Sequence, residues 1–347
     1  MWRKLQKHKL AVLGGRILII LYTIVPLPNF FAPYDIYERH AKDANCPPQR
    51  IHFFDQGIFS VRPFVYGMKK EVDKKTFRRI YTVDKSKKYS ILFFVRGYEY
   101  KIWGLFPANI HLLGVKKGTV YLFGTDSLGR DLFSRTLLAA RISLSIGLLG
   151  VAISLTLGII LGGASGYFGG RTDVIIQRIV EAFLAIPKIP LWMGLSAALP
   201  AKWTPIQVYL GIVIILSTIG WTSIARIVRG KFLQLREEDF VLAAKISGLS
   251  DTGVILKHLV PSFLSYIIVR ASLSIPYMIL AETSLSFLGV GLRPPTVSWG
   301  TLLKDAQKVR SAALYPWLLI PGLFVIITVL AFNFVGDGLR DAADPYK

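Results

Sequence analysis

The sequence predicts an all-α polytopic membrane protein with six transmembrane helices and a small β-rich insert between the first and the second. Three observations carry this. Six apolar stretches approach or exceed the roughly 20 residues that cross about 30 Å of hydrocarbon. They run continuously instead of alternating, which marks helices rather than barrel strands. The block between the first two stretches mixes charge with short apolar runs bounded by Gly, the pattern of strands.

Taken in order, the first run, roughly Leu10–Ala32, is short and interrupted by Pro26 and Pro28. Arg3, Lys4, Lys7 and Lys9 precede it, as in a signal peptide. It ends in "PNFFAPYD" without a small-x-small cleavage site, so an uncleaved span is expected. Residues 33–130 form the insert, with strands expected in "RIHFFDQGIFSV", "YSILFFVRGYEYKIWG" and "TVYLFGTD". Residues 131–347 form the core. Its spans are Ile142–Phe168, Val174–Leu199, Ile206–Val228, Phe263–Leu292 and Tyr315–Leu339. Pro187, Pro190, Pro276 and Pro321 are positioned to break or kink their helices. In "GTDSLGRD", Asp126 and Ser127 are cap candidates before the second span.

Basic residues set the orientation. A basic N-terminal tail stays in the cytoplasm, and six crossings then place residues 229–262 and the C-terminus inside as well. The inner loop carries Arg229, Lys231, Arg236, Lys245 and Lys257. The insert falls outside, on the periplasmic face; its length of about 100 residues lets it cross whatever its charge.

Composition agrees with a lipid-embedded chain. Of 347 residues 52% are hydrophobic, and the formal net charge is +21. Lys and Arg beside spans meet anionic lipid, which accounts for such a balance. Nucleic acid is not an expected partner, because no basic stripe with interleaved aromatics appears. Cys46 is the only cysteine, which excludes an intrachain disulfide and a thiolate metal site. The five histidines are scattered, and no P-loop, His-Glu-x-x-His or Gly-x-Ser-x-Gly is present. No catalytic, metal or cofactor residue is therefore assigned.

Between the fourth and fifth spans lies "LAAKISGLSDTGVILKHLVPS", residues 242–262. Glu237, Glu238 and Asp239 suit the first turn of a helix over "REEDFVLAAKIS", residues 236–247, and Gly248 suits its C-cap. Ser250 or Asp251 caps a second helix, closed by Pro261. Small Ala243 and Ala244 allow close approach, and Val254, Ile255 and Leu259 give the second helix an apolar side. Two readings stand: an amphipathic hairpin offered to a partner's groove, or one packed on its own bundle.

This segment resembles the cytoplasmic coupling motif of ABC-importer permeases: Glu-Ala-Ala, three residues, Gly, nine residues, Ile-x-Leu-Pro. Ala243, Ala244, Gly248 and Pro261 fall at the matching spacing, whereas Leu242 replaces the Glu and His258-Leu259-Val260 replaces Ile-x-Leu. "FGTDSLGRDLFSR", "ARISLSIGLLG", "GYFGGRTD", "AETSLSFLGVGLRPP" and "DGLRDAADP", in that order, are similar to the second permease subunit of oligopeptide and dipeptide importers. The resemblance runs from about Leu122 to the end. It implies the type I ABC importer permease fold, an inner-membrane location and half of a peptide-translocating pore. Ala243, Ala244, Gly248, Ser250, Asp251, His258 and Pro261 would then meet the ATPase. The implied partners are a second permease subunit forming a heterodimer, two ATP-binding subunits, and a periplasmic or lipid-anchored solute-binding protein. ATP is bound by those partners, and the chain itself takes no cofactor.

Two carboxylates fall within spans. Glu181 has Arg178 one turn away, and a pair near the cytoplasmic end is expected. Glu282, near Ser284 and Ser286, either lines a translocation path with Ser286 or bonds to a neighbouring helix. An ion-driven secondary transporter would want inverted repeats and several midplane charges, and an intramembrane enzyme would want paired catalytic groups. Neither pattern is present. Among importers of this kind, nickel complexes and opines are alternative cargoes.

Overall fold

The computed structural model describes residues 2–55, 58–72, 74 and 79–343. The chain is mostly helical, with a β-rich insert. Among the described residues four helices are long and apolar enough to cross a membrane: Leu132–Phe168, Pro205–Leu235, Leu264–Phe287 and Pro316–Ala343. Two of the six expected spans do not reach that length as single helices.

The chain opens with α1 (Trp2–Lys7), α2 (Lys9–Ile24) and α3 (Pro28–Phe31). The 16 residues of α2 rise only about 24 Å. The third apolar run is divided into α5 (Gly170–Ala185) and α6 (Lys188–Ala197). Ile186, just before Pro187, is extended at φ −90° and ψ 131°. The proline ring disfavours helical geometry in the residue before it, so the break falls there. Pro276, by contrast, lies inside α11 (Leu264–Phe287) without ending it. The second span begins ten residues earlier than its apolar run: α4 covers Leu132–Phe168.

The described residues fall into two compact units. One comprises Met1–Ile19, Ser145–Leu292 and Ile326–Lys347. Its centre is α7 (Pro205–Leu235), which buries Ile212, Leu216, Ile219, Ala225 and Phe232. Gly158, Gly162 and Gly166 stand four residues apart on α4 and form a seam against α7. A methyl group at Gly162 would lie 2.4 Å from the Ala225 carbonyl oxygen, and one at Gly166 would lie 2.7 Å from that of Arg229. Such small-residue seams let helix backbones approach closely. Gly14 of α2 likewise abuts the Ala331 carbonyl of α14 (Ile320–Ala343). The unit also holds the short helices α8 (Asp239–Ile246), α9 (Asp251–Val254) and α10 (Val260–Ser262).

The other unit comprises Ile20–Leu144 and Arg293–Val325. Antiparallel strands β1 (His52–Asp55), β2 (Ile58–Val72) and β3 (Arg79–Ser90) form one sheet; β4 (Leu92–Ile102) and β5 (Phe106–Gly114) form a second. "TVYLFGTD" is not a strand. Its single bridge joins Thr125 to Asp131, and the chain there serves as a buried connector. Tyr121 N–H donates to Gln49 Oε1 at 2.6 Å, and Val120 packs with Val65 and Ile91. The unit also contains α12 (Trp299–Leu303) and α13 (Val309–Leu314). Trp299 is fully buried, and its indole N–H donates to the Thr136 carbonyl.

The cap of α4 is Asp131, not Asp126 or Ser127: Ser134 N–H donates to Asp131 Oδ2 at 2.7 Å. Asp126 instead closes the preceding turn, accepting from the N–H groups of Leu128 and Arg130 and from the guanidinium groups of Arg130 and Arg135. Burial pushes the Asp131 carboxyl up to about 6, outweighing the hydrogen bonds that favour its charged form.

Candidate functional site

The segment 229–262 lies wholly within the first unit. The helix α7 feeds directly into it. Arg229, in the last two turns of α7, makes a bidentate pair with Asp173 of α5, at 2.5 Å (Nε–Oδ1) and 2.6 Å (Nη2–Oδ2). Two parallel N–H···O bonds fix direction as well as distance, so the end of α7 is held against α5. Arg236 then turns the chain, and α8 starts at Asp239 with Glu238 as its cap residue.

The end of α8 is set by Gly248, whose φ of +80° is left-handed. Leu249 N–H donates to the Ala244 carbonyl at 3.2 Å and Gly248 N–H to that of Lys245 at 3.0 Å, closing the helix C-terminus. Ser250 caps α9 by accepting from Gly253 N–H at 3.3 Å. Asp251 has a different role: its Oδ1 accepts from the Tyr167 hydroxyl at 2.6 Å. The Tyr167 ring also lies 4.8 Å from Lys245 Nζ. One side chain at the end of α4 therefore touches both arms of the elbow.

Pro261 does not close the second helix. The chain stays helical from Asp251 to Ser262 through a π turn at Ile255–Leu259, where Val260 N–H donates to the Ile255 carbonyl. Proline has no N–H to offer, and the widened turn accommodates this loss. The helical run ends at Phe263, where φ is −123°.

The apolar side of the second helix, for which the sequence leaves both a partner's groove and the chain's own bundle open, faces the bundle. Val254 and Leu259 are fully buried, and with Tyr167, Phe232, Val241, Ala244 and Phe263 they form one cluster. The outward face carries different apolar residues. Ile246 is 87% exposed and Leu256 68%, with Phe240 and Leu242 also exposed. Ala243, Gly248, Ser250, Asp251 and Pro261 share the exposed side, Ala244 is buried, and His258 is half-buried. Ile246, Leu256 and Tyr167 were not singled out by spacing. Leu242 and Ile246 lie four residues apart, one turn of helix, but Val241 and Ala244 make the opposite face equally apolar.

Glu282 and Ser286 are each 0% exposed within the subunit. Ser286 Oγ donates to Glu282 Oε1 at 2.7 Å and accepts from Leu292 N–H at 3.0 Å. This ties the end of α11 to the chain that follows it. The Ser286–Glu282 bond spans one turn of α11 itself. Glu181 pairs with Arg178 at 2.8 Å on an exposed surface.

Comparison with known proteins places this architecture. Residues 154–346 match the model of the binding-protein-dependent transport system inner membrane component, and residues 1–48 match the N-terminal TM domain of oligopeptide transport permease C. The chain is 42% identical to the oligopeptide transport system permease protein OppC of Haemophilus influenzae over 254 residues, 73% of this chain and 78% of that protein. It is 31% identical to the dipeptide transport system permease protein DppC of Bacillus subtilis over 345 residues, 99% of this chain and 84% of the relative.

Proposed function

The chain belongs to the family of binding-protein-dependent transport system inner membrane components, and from that premise we propose how it works as a permease subunit of a peptide importer. It is a multi-pass membrane protein that forms half of a pore, the other half coming from a second, related permease subunit. Its six crossings are α2, α4, the broken pair α5–α6, α7, α11 and α14. Both termini and the elbow 229–262 face the cytoplasm, and the β-rich insert faces outward, where a solute-binding protein delivers peptide.

Two ATP-binding subunits drive the cycle, one of them seated on the elbow of this chain. The observation that carries this reading is the division of the elbow into two faces. Its inner face is locked to α4, α5 and α7 by a buried cluster, the Asp173–Arg229 pair and Tyr167. Its outer face holds Ile246 and Leu256 in solvent. Burying such side chains in a partner's cleft is favourable by about 1.5–3 kcal/mol each. A load applied there would pass to the spans through these contacts, which tie the elbow to the helices beneath it.

Oligopeptides or dipeptides are the cargo this reading favours, since the relatives carry those names. Neither opine nor nickel-complex import, nor an ion-driven cycle, gains support from them. The test is peptide uptake in a strain lacking this chain, complemented by the wild type or by Gly248→Pro. Proline can adopt neither φ +80° nor the N–H bond to Lys245. The variant is expected to insert in the membrane, lose its ATP-binding subunits on purification and fail to restore uptake. Normal co-purification and uptake by Gly248→Pro would sink the proposal. So would labelling that finds Lys245 or Lys257 outside.

A further inference from the structure

The insert contains a cavity that the transport cycle does not use. It has a volume of about 680 Å³ and lies between the β2 end at Val61–Pro63 and strand β4, with Val115 and Lys116 closing a third side. That volume is in the range of small-ligand sites, about 300–1,000 Å³. Three cations line it: Arg62, Arg96 and Lys116. Among the described residues no carboxylate lies within 4 Å of any of them. The cavity walls include no acidic side chain.

The rest of the lining is apolar, from buried Ile91 to a rim that faces solvent. Val61, Phe93 and Phe94 are all exposed, Val61 at 87%. Phe94 has φ +55°, a left-handed conformation that a bulky side chain avoids. Such outliers gather at ligand clamps, where the surrounding structure holds them. The exposed apolar surface continues along β2 and β1 as Phe59, Ile58, Phe54 and Phe53, with the Phe54 and Phe59 rings 5.5 Å apart. An apolar rim of this extent marks contact with protein or membrane.

We propose that this cavity binds an anionic phospholipid, with its phosphodiester among Arg62, Arg96 and Lys116 and its acyl chains along the Val61, Phe93 and Phe94 rim. The combination selects the ligand. A soluble anion would satisfy the cations and leave the rim in water. A free peptide brings an ammonium group, and the walls offer it no carboxylate. An anionic lipid uses both halves of the lining, and lipid is at hand because the insert joins two apolar segments of the chain, α2 and α4. Aromatic side chains beside Lys and Arg are also the composition of membrane–water interfaces. The inference requires only the membrane location, not the transport cycle.

The test uses the full chain purified in a neutral detergent. Native mass spectrometry counts bound phosphatidylglycerol and phosphatidylcholine for the wild type, for R62Q/R96Q/K116Q and, as a charge-matched control outside the cavity lining, for K85Q/K87Q/K88Q. The expected result is one tightly held phosphatidylglycerol lost from the first variant and retained by the control. Its affinity should fall about a hundredfold, on the basis of three basic contacts. Phe94→Gly, which suits the left-handed backbone and keeps the fold, should also weaken phosphatidylglycerol while leaving phosphatidylcholine unchanged. Equal retention by all forms overturns the proposal. So does displacement of the lipid by millimolar inorganic phosphate alone, or by an oligopeptide, since either would name a different occupant.

Discussion

Ile246 offers the sharpest test of the elbow. It is 87% exposed and lies at the C-terminus of α8, so its side chain contributes little to the bundle. Truncation to Ala should leave thermal stability within the usual range of surface changes, about ±0.5 kcal/mol. If the side chain is buried on docking, the same truncation removes about 1–2 kcal/mol of the transfer term, a roughly five- to thirtyfold loss of affinity for the ATP-binding subunit. Ile246→Asp goes further, because it would place an unpaired carboxylate in the contact, at a cost of about 3 kcal/mol or more. The assay is titration of the purified permease with its ATP-binding subunit, followed by peptide-stimulated ATP hydrolysis in proteoliposomes. A graded loss from wild type through Ala to Asp, with unchanged melting, is expected. Wild-type affinity for Ile246→Asp would refute the docking face, since no partner cleft tolerates a buried charge without loss.

Three further outcomes follow from the same geometry. Tyr167→Phe removes the hydroxyl that donates to Asp251 at 2.6 Å. About 1.5 kcal/mol of elbow anchoring should be lost, seen as faster amide exchange over 247–255 and weaker coupling of hydrolysis to uptake, with ATPase binding retained. Asp173→Asn breaks the bidentate pair with Arg229, whose groups are partly exposed, so screening limits the cost to about 1 kcal/mol and a melting shift of a few degrees. Asp131 gives a pH dependence. Its folded carboxyl titrates at about 6 against 3.8 unexposed to burial, so the folded state holds the proton more tightly. Stability from this group is fullest below pH 4, falls as pH rises through 6, and is lower by about 3 kcal/mol above that. Asp131→Asn keeps a capping oxygen without the charge. It should melt higher than the wild type at pH 8 and level with it near pH 4; equal melting at both pH values would contradict the burial argument.

Much of this was legible in the sequence. Continuous apolar runs located every long helix, and the spacing of Ala243, Ala244, Gly248 and Pro261 located the elbow. The number of unbroken spans was legible only in part: Pro187 and Pro276 are both candidate break points in the sequence, yet the chain breaks at Pro187 and runs on through Pro276. The facing of the elbow was not legible: α8 is apolar on both sides, and only the packing of Val241 and Ala244 under Tyr167 tells inner from outer. In the insert, β3 escaped notice because "RIYTVDKSKKYS" is dominated by charge, although its residues pair with β2 from Arg79 to Ser90. The cap of α4 moved from Asp126 to Asp131 because Asp126 is engaged by two arginines, a contact that no local pattern displays.

The glycine seam between α4 and α7 has a consequence for how this subunit tolerates change. Where Gly162 and Gly166 meet α7, the nearest atoms are backbone and the first carbon of the Phe232 side chain, so any added carbon must pry the two rods apart. Divergence among related chains should therefore spare this line while altering the lipid-facing flank of the same helix freely. Because the seam runs directly into the elbow, a wedge placed there would disturb the elbow from the helices that carry it.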